Sequence, residues 1–578
     1  MFTMPNEQLT RQLKNVKIAR GQKKAALVLK NCHFVNVFNG LIERGDIAID
    51  NGVILGIGEY SGITEVDYSD YIVCPGLIDG HVHIESSLLT PTGFAQAVLP
   101  QGTTTVVADP HEIANVCGLD GIEYMLESSK RSPLDVYIMM PSCVPSTDFE
   151  NAGATLNATD LLSLSEKDHV LGLGEMMNYP GVFFGNTDVH EKLLSFKNKT
   201  IDGHAPGVSL LDLNSYIVSG VTTDHECVDH KELEEKVSKG MYIHLREGSA
   251  TRNVAELSRG VTAQNSRRLM FCTDDKHPTD IVREGHINFN IRLAIKHGVS
   301  PITAIQMATI NSCECYGLKK RGAIAPGYLA DLVVLRDLAS FEIMDVYKKG
   351  ILVAQEGKAL FETQSYSNPT VLNTIHLKEN QVVDLNLPLK SEYVKVIQLI
   401  NDSIITKKVI RKVDVKNGIF QHNQKVDILK LAVIERHKQT GNVGMGLVEG
   451  FGLKKCAIGL TIAHDSHNMI IIGDNDEDML SCVEQLQSMT GGICLVSGKK
   501  VLGSLVLEVG GIMTNAPLEE VVETLKDIES IARKYGVPKG VDPFMTLAFL
   551  ALPVIPELKV TDLGLFDANQ FQFVEVEE

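Results

Sequence analysis

Eight apolar, β-branched runs recur across residues 72–275, and each breaks off in polar or ionisable residues. In order they are IVCPGLIDGHVH (72–83), TTTVVADPHE (103–112), DVYIMMPSCVP (135–145), VLGLGEMM (170–177), TIDGHAPG (200–207), GVTTDHE (220–226), GMYIHLREG (240–248) and RLMFCTDD (268–275). Between them lie stretches with helical spacing, such as LDGIEYMLESSK and HKELEEKVSKG. A single apolar run is ambiguous between strand and buried helix. Eight of them alternating with helices predict a (β/α)8 TIM barrel, an α/β fold.

The flanks have a different texture. Residues 25–60 read as short strands with a hairpin at Asn51-Gly52, and a similar texture returns in KKRGAIAPGYLADLVVL (319–335) and IMDVYKKGILVAQEGKAL. Two β-rich blocks on either side of the barrel predict a small β-sandwich domain formed from both. SPITAIQMATINSCECYGL reads as one helix with Ser300 as N-cap and Pro301 at its first position. Further on, the runs VDILKLAVIERHKQ and PLEEVVETLKDIESIARKYG read as helices among Gly-rich β-like runs, a C-terminal α+β domain. The expected division is an N-terminal extension (1–24), a composite β domain (25–75 and 320–375), the barrel (76–319) and the C-terminal domain (376–578).

Bulk properties exclude some classes. A chain of 578 residues exceeds one compact core. A net charge of −18 argues against nucleic acid and against an anionic membrane surface. FMTLAFLALPVIP (544–556) is too short to span a bilayer and is broken by Pro553 and Pro556, so it reads as core. The basic, polar start has no apolar signal core. Eleven cysteines without a CxxC pair predict reduced thiols and a cytoplasmic location.

In such a barrel the strand C-termini converge on one mouth. The ends of these runs carry His81 and His83, then His111 and Glu112, Glu175, His204, His225 and Glu226, Arg246 and Glu247, and Asp274 and Asp275. His81 and His83, at i and i+2, face one way on a strand. Any one of these imidazoles, taken singly, reads as an ordinary hydrogen-bonded histidine. Together they predict two divalent metal ions: His81, His83 and Asp274 on one, His204 and His225 on the other, and Glu175 between them.

With PGLIDGHVH after a small β block, the later His204, His225 and Asp274, and the return segment GAIAPGYLADLVVL, the chain resembles the amidohydrolase superfamily over roughly residues 25–365. More narrowly it resembles the bacterial adenine deaminases. TTTVVADPHEIANV, LGLGEMMNYPGV, DGHAPG, TTDHE, LREGS and FCTDDKHP are similar to that family's strand ends, and GNVGMGLVEGFGLKK with TIAHDSHN to its C-terminal domain. The resemblance implies deamination of adenine to hypoxanthine and ammonia with two manganese or iron(II) ions. Glu175 stands where many relatives carry a carboxylated lysine. The other enzymatic reading is an amidohydrolase acting on a related amino-heterocycle or cyclic amide, and a barrel without chemistry would have lost ligands that this chain keeps. The zinc deaminases of nucleic acids differ, because no PCxxC follows His83-Ile84-Glu85.

The implied mechanism has a metal-activated hydroxide attack C6 while Asp274 moves the proton to the leaving amine, with Asp275 as runner-up. Glu112, His111, Glu226 and Glu247 are the candidates for protonating the ring nitrogen. Asp109, Arg246 and Glu247 are candidate substrate contacts, with pairing to Glu247 as the alternative for Arg246. His464, Asp465 and His467 are open between a lid over the mouth, a metal clip and a hydrogen-bonded turn. Cys313 and Cys315 diverge on a helix. The glycines of 441–452 lack the GKS or GKT of a phosphate loop. A homodimer is the default assembly.

Overall fold

The computed structural model describes residues 6–379 and 383–578. Eight barrel strands follow in order: β1 (Leu77–Val82), β2 (Thr103–Ala108), β3 (Asp135–Met140), β4 (Val170–Met176), β5 (Thr200–Gly203), β6 (Thr223–Asp224), β7 (Tyr242–Arg246) and β8 (Leu269–Cys272). All pair in parallel, β1 to β5 in one arc and β6 to β8 in another. The arcs close into one wall. Val82 bridges Asp274, with the Asp274 amide donating to the His81 carbonyl at 3.0 Å. At the other seam the Thr222 amide donates to the Ile201 carbonyl at 3.0 Å. Helices such as His111–Ser129, His230–Ser238 and Ile287–Lys296 cover the outside.

The run IVCPGLIDGHVH forms two strands rather than one. Ile72–Pro75 belongs to the neighbouring sheet, and β1 begins after Gly76. A Cβ on Gly76 would lie 2.3 Å from Thr104 Oγ1, so only glycine lets the chain pass against β2 at this crossing. The neighbouring sheet has nine strands and folds over its own core of Leu29, Phe34, Ile47, Val73, Leu332 and Val334. Ile72–Pro75 lies between Ala25–Asn36, from before the barrel, and Leu332–Leu335, from after it. Asp135, at the foot of β3, ties barrel to sheet through Arg321 at 2.5 Å and Lys348 at 2.7 Å. Of the N-terminal extension, residues 1–5 lie outside the described residues, and Asn6–Ala19 is a helix whose Ile18 packs on this sheet.

Beyond it stands an eight-stranded sheet with helices Asp476–Ser488 and Leu518–Lys534, plus a three-stranded sheet near the C-terminus. The run VDILKLAVIERHKQ is not a helix; Ile428–Ile434 is a strand buried along its whole length. A fully buried strand loses the polar-apolar alternation that would identify it. SPITAIQMATINSCECYGL is two helices, Pro301–Met307 and Ile310–Tyr316. The break frees the Ala308 carbonyl to accept from the Ile78 amide at 2.8 Å, fixing β1 from below. Ser300 makes no side-chain cap bond.

This C-terminal domain packs on the barrel mouth. Leu89 bridges Thr514, the Asn151 amide donates to Asp562 at 2.9 Å, and one apolar core runs through Leu89, Ile113, Leu460, Ile470 and Ile512. Among the described residues no helix is long and apolar enough to cross a membrane.

Candidate active site

At the C-terminal mouth of the barrel, Glu175 sits at the centre of five imidazoles. Its Oε1 lies 3.2 Å from His83 Nε2, 3.4 Å from His111 Nδ1 and 3.8 Å from His81 Nε2. Its Oε2 lies 2.6 Å from His204 Nδ1 and 3.3 Å from His225 Nε2. One carboxylate thus offers a different oxygen to each of two histidine sets. Asp274 joins the first set, with Oδ1 3.0 Å from His83 Nε2 and 3.5 Å from His81 Nε2. All seven side chains are buried except His204, which is partly open to the mouth.

These donors fit metal better than they fit one another. Both ring nitrogens of His81 and Nε2 of His225 are buried without a hydrogen-bond partner among the described residues. Buried polar atoms are normally satisfied, so this set of aimed nitrogens calls for cations. His83 is oriented as a metal ligand would be. Its Nδ1 bonds the Asp109 carbonyl at 2.9 Å, which leaves the Nε2 lone pair facing Glu175 and Asp274. Burial alone would raise the Glu175 and Asp274 carboxyls. His204 foremost holds Glu175 well below the ordinary range, and Arg246 foremost does so for Asp274. Both are therefore ionised, as ligands must be.

Three contacts that the strand-end pattern did not reveal hold this centre. First, Asp109 is a clamp on Glu175 rather than a group facing the mouth: its Oδ2 accepts from the Glu175 amide at 2.9 Å. Gly174 makes that approach possible, because a Cβ there would stand 2.1 Å from Asp109 Oδ2. Second, Arg246 does not pair with Glu247. It donates to Asp274 Oδ2 at 2.8 Å and to Glu226 Oε2 at 2.8 Å. Glu247, the residue after β7, turns to the Val254 amide and toward Arg252, away from the imidazoles. Third, Asp274 and Asp275 both approach His83, although neighbours on a regular strand would diverge. Strand β8 has ended at Cys272, and Asp274 has a φ of 58°, which turns the chain. Asp275 is bonded by Ser86.

Glu112 opens the helix after β2 and meets the C-terminal domain. Its Oε1 bonds His464 Nδ1 at 2.7 Å and its Oε2 bonds His467 Nε2. His111 lies between, with Nε2 3.5 Å from Glu112 and Nδ1 3.4 Å from Glu175. Burial would raise Glu112, but His464, His467 and His111 hold it well below the ordinary range. His464 is lowered by burial and raised more by Glu112, to about 9; His467 is drawn down to about 4, chiefly by burial. Of the three sequence readings of this motif, the geometry favours the lid: a segment 352 residues away in sequence bonds a side chain at the mouth.

Residues 72–353 match the model of the "Amidohydrolase family", and residues 403–572 match the "Adenine deaminase C-terminal domain". The chain is 51% identical to the "Adenine deaminase" of Clostridium acetobutylicum over 97% of its own length and 99% of that protein. The chain belongs to the adenine deaminase family. Similar relatives of this family include "Adenine deaminase 2" of Carboxydothermus hydrogenoformans, 49% identical over 97% of this chain and 98% of that one. The "Adenine deaminase" of Geobacillus kaustophilus is 46% identical with the same coverage of each. The family's C-terminal model covers the domain that carries His464 and His467.

Proposed function

We propose that the protein hydrolyses adenine to hypoxanthine and ammonia at a centre of two divalent metal ions, manganese or iron(II). The observation that carries this reading is the split of Glu175 between two imidazole sets, in a chain whose relatives are adenine deaminases from end to end. His81, His83 and Asp274 would hold one ion and His204 and His225 the other, with Glu175 shared. When bound, the two ions supply Lewis acidity that makes water nucleophilic near neutral pH.

The chain's own groups then divide the proton work. Asp274, ionised beside Arg246, accepts a proton as water adds to C6, and returns it to the exocyclic nitrogen, which leaves as ammonia when the C6–N bond breaks. The addition places a proton on the neighbouring ring nitrogen. Glu226 is held by Arg246 and Glu247 is turned away, so neither is placed to give it. Glu112 is held ionised by two imidazoles and acts as an acceptor for a purine N–H. We assign proton delivery to His111, whose ring spans Glu175 and Glu112 and which takes back the C6 hydroxyl proton as the carbonyl of hypoxanthine forms. The buried walls exclude bulk water from these transfers.

We further read the protein as a cytoplasmic enzyme of purine salvage and as a homodimer or higher homo-oligomer. All eleven cysteines are unpaired, which suits a reducing compartment. The test is ammonia and hypoxanthine formation from adenine by manganese-loaded protein, beside other amino-purines and cyclic amides. Rapid turnover of adenine above all others is expected. Turnover of a cyclic amide with adenine untouched would replace this reading by the other amidohydrolase one.

A further inference from the structure

The Glu112, His464 and His467 side chains form a second buried cluster of ligand-type atoms, apart from the six residues around Glu175. A third metal ion is the first thing to consider there. The hydrogen bonds argue otherwise. The Ala463 amide donates to His467 Nδ1 at 3.3 Å, so the proton of this imidazole is on Nε2, the atom that meets Glu112. A protonated nitrogen is a donor to the carboxylate and offers no lone pair to a metal. His464 takes the other oxygen, and its ring stacks on Phe549 with centroids 4.5 Å apart.

The loop that presents these rings is rigidly built. Arg436 is fully buried, and its guanidinium has carbonyls as partners: it donates to those of His467, Thr374 and Gly510, the last at 2.9 Å. His437 Nε2 bonds the Ser466 carbonyl at 2.7 Å, and Asn468 reaches the barrel loop through the Asn151 carbonyl at 2.8 Å. Beside the loop a narrow cleft runs between the domains, lined by Ser86, Leu88 and His277 of the barrel and by Ile462, His464 and Phe544 of the C-terminal domain. The C-terminal domain therefore reaches the mouth with two aimed hydrogen-bond partners.

We propose that His464 and His467 are positioning residues, which fix Glu112 as the acceptor for a substrate N–H and make the C-terminal domain part of the catalytic unit. This rests on the reading of the protein as an adenine deaminase. It goes beyond it by naming the domain's contribution: His464 acts through Nδ1 and His467 through Nε2, each on one oxygen of Glu112.

The two nitrogens give the test its specificity, because asparagine places its amide near Nδ1 of a histidine and glutamine near Nε2. In manganese-loaded full-length protein, His467→Ala and His464→Ala should each lower kcat/KM for adenine by about 100-fold, the scale of an active group displaced by 1 Å. Metal content should stay that of the unsubstituted protein. His467→Gln should recover most of the loss and His467→Asn should not; at 464 the order should reverse. On a Glu112→Gln background either alanine substitution should add little. Equal recovery by Asn and Gln, additive losses, or a metal equivalent that disappears with His467→Ala would overturn the proposal. One measurement needs no substrate. In zinc-loaded protein with ring-15N histidine, an exchange-protected Nε2–H signal should vanish in His467→Ala and shift in Glu112→Gln. Its absence from the unsubstituted protein overturns the clamp, whereas a clamp signal in a protein that releases no ammonia from adenine overturns only the substrate.

Discussion

Gly174→Ala adds a single methyl group to a buried strand, yet it should disable the centre. The backbone is not in the left-handed region at this position, so alanine meets no conformational penalty and the effect is purely one of space. The new Cβ would stand 2.1 Å from Asp109 Oδ2 and 2.7 Å from its Cγ. Comfortable non-bonded separation is about 3.5 Å, so the carboxylate has to retreat by more than ~1 Å. It then gives up the 2.9 Å bond from the Glu175 amide. A hydrogen bond to a charged group contributes about 1.5–3 kcal/mol. The backbone of Asp109 also carries the carbonyl that orients His83, so His83 and Glu175 are disturbed together. A displacement of about 1 Å in a positioned catalytic group costs about 100-fold in rate. The assay is ammonia release from adenine at saturating manganese, with metal content by elemental analysis and the thermal midpoint measured on the same preparations. We expect at least a 100-fold loss of kcat/KM with a weakened second metal, and little further loss when Asp109→Ser is added. Full activity and full metal content in Gly174→Ala would show that the clamp is dispensable.

Other expectations follow from the same geometry. Arg246→Ala should strip buried Asp274 and partly buried Glu226 of the guanidinium they share, costing about 3–5 kcal/mol of stability, and Arg246→Lys, unable to hold both, should recover only part of the activity. Denaturant titration and kcat measure the two effects. Asp135 should make stability fall in acid: burial raises its carboxyl, but Lys348 and Arg321 hold it well below the ordinary carboxylate value. Its contribution is present above the unfolded pKa of about 4 and is lost as pH falls through the lower folded value, so Asp135→Asn should flatten unfolding curves in that acid window. Removing the metals with a chelator should abolish turnover and lower the thermal midpoint, since ions that bind only the folded state stabilise it, and manganese should restore both. A midpoint unchanged by chelation would count against a site built for metal.

The barrel could be read from the chain because apolar runs end at a common mouth, and a strand end is a local feature. The same holds for His81, His83, Glu175, His204, His225 and Asp274, which the structure brings together around one carboxylate. What escaped depends on pairs that no local window contains. Asp109 and Gly174 are 65 positions apart, and only their 2.1 Å proximity explains why a glycine precedes Glu175. Arg246 chose Asp274 and Glu226 over its neighbour Glu247, which lies past the end of β7 and turns to the Val254 amide and Arg252. Glu112 found its partners in another domain. In the C-terminal sheet the error was of period: Ile428–Ile434 is buried on both faces, so its apolar run looks like helix as readily as strand. The paired aspartates approach one imidazole only because the backbone turns at Asp274, which no side-chain pattern announces.

The proposed function requires Glu175 to share its two oxygens between two metal ions. Metal-free protein titrated with manganese, with bound metal and ammonia release from adenine recorded at each step, puts this to trial. We expect activity to rise to a plateau at two equivalents per chain, and a Glu175→Gln protein neither to fill both sites nor to turn over. Full activity at one equivalent, or a Glu175→Gln protein that binds two ions and deaminates adenine at the normal rate, would contradict it.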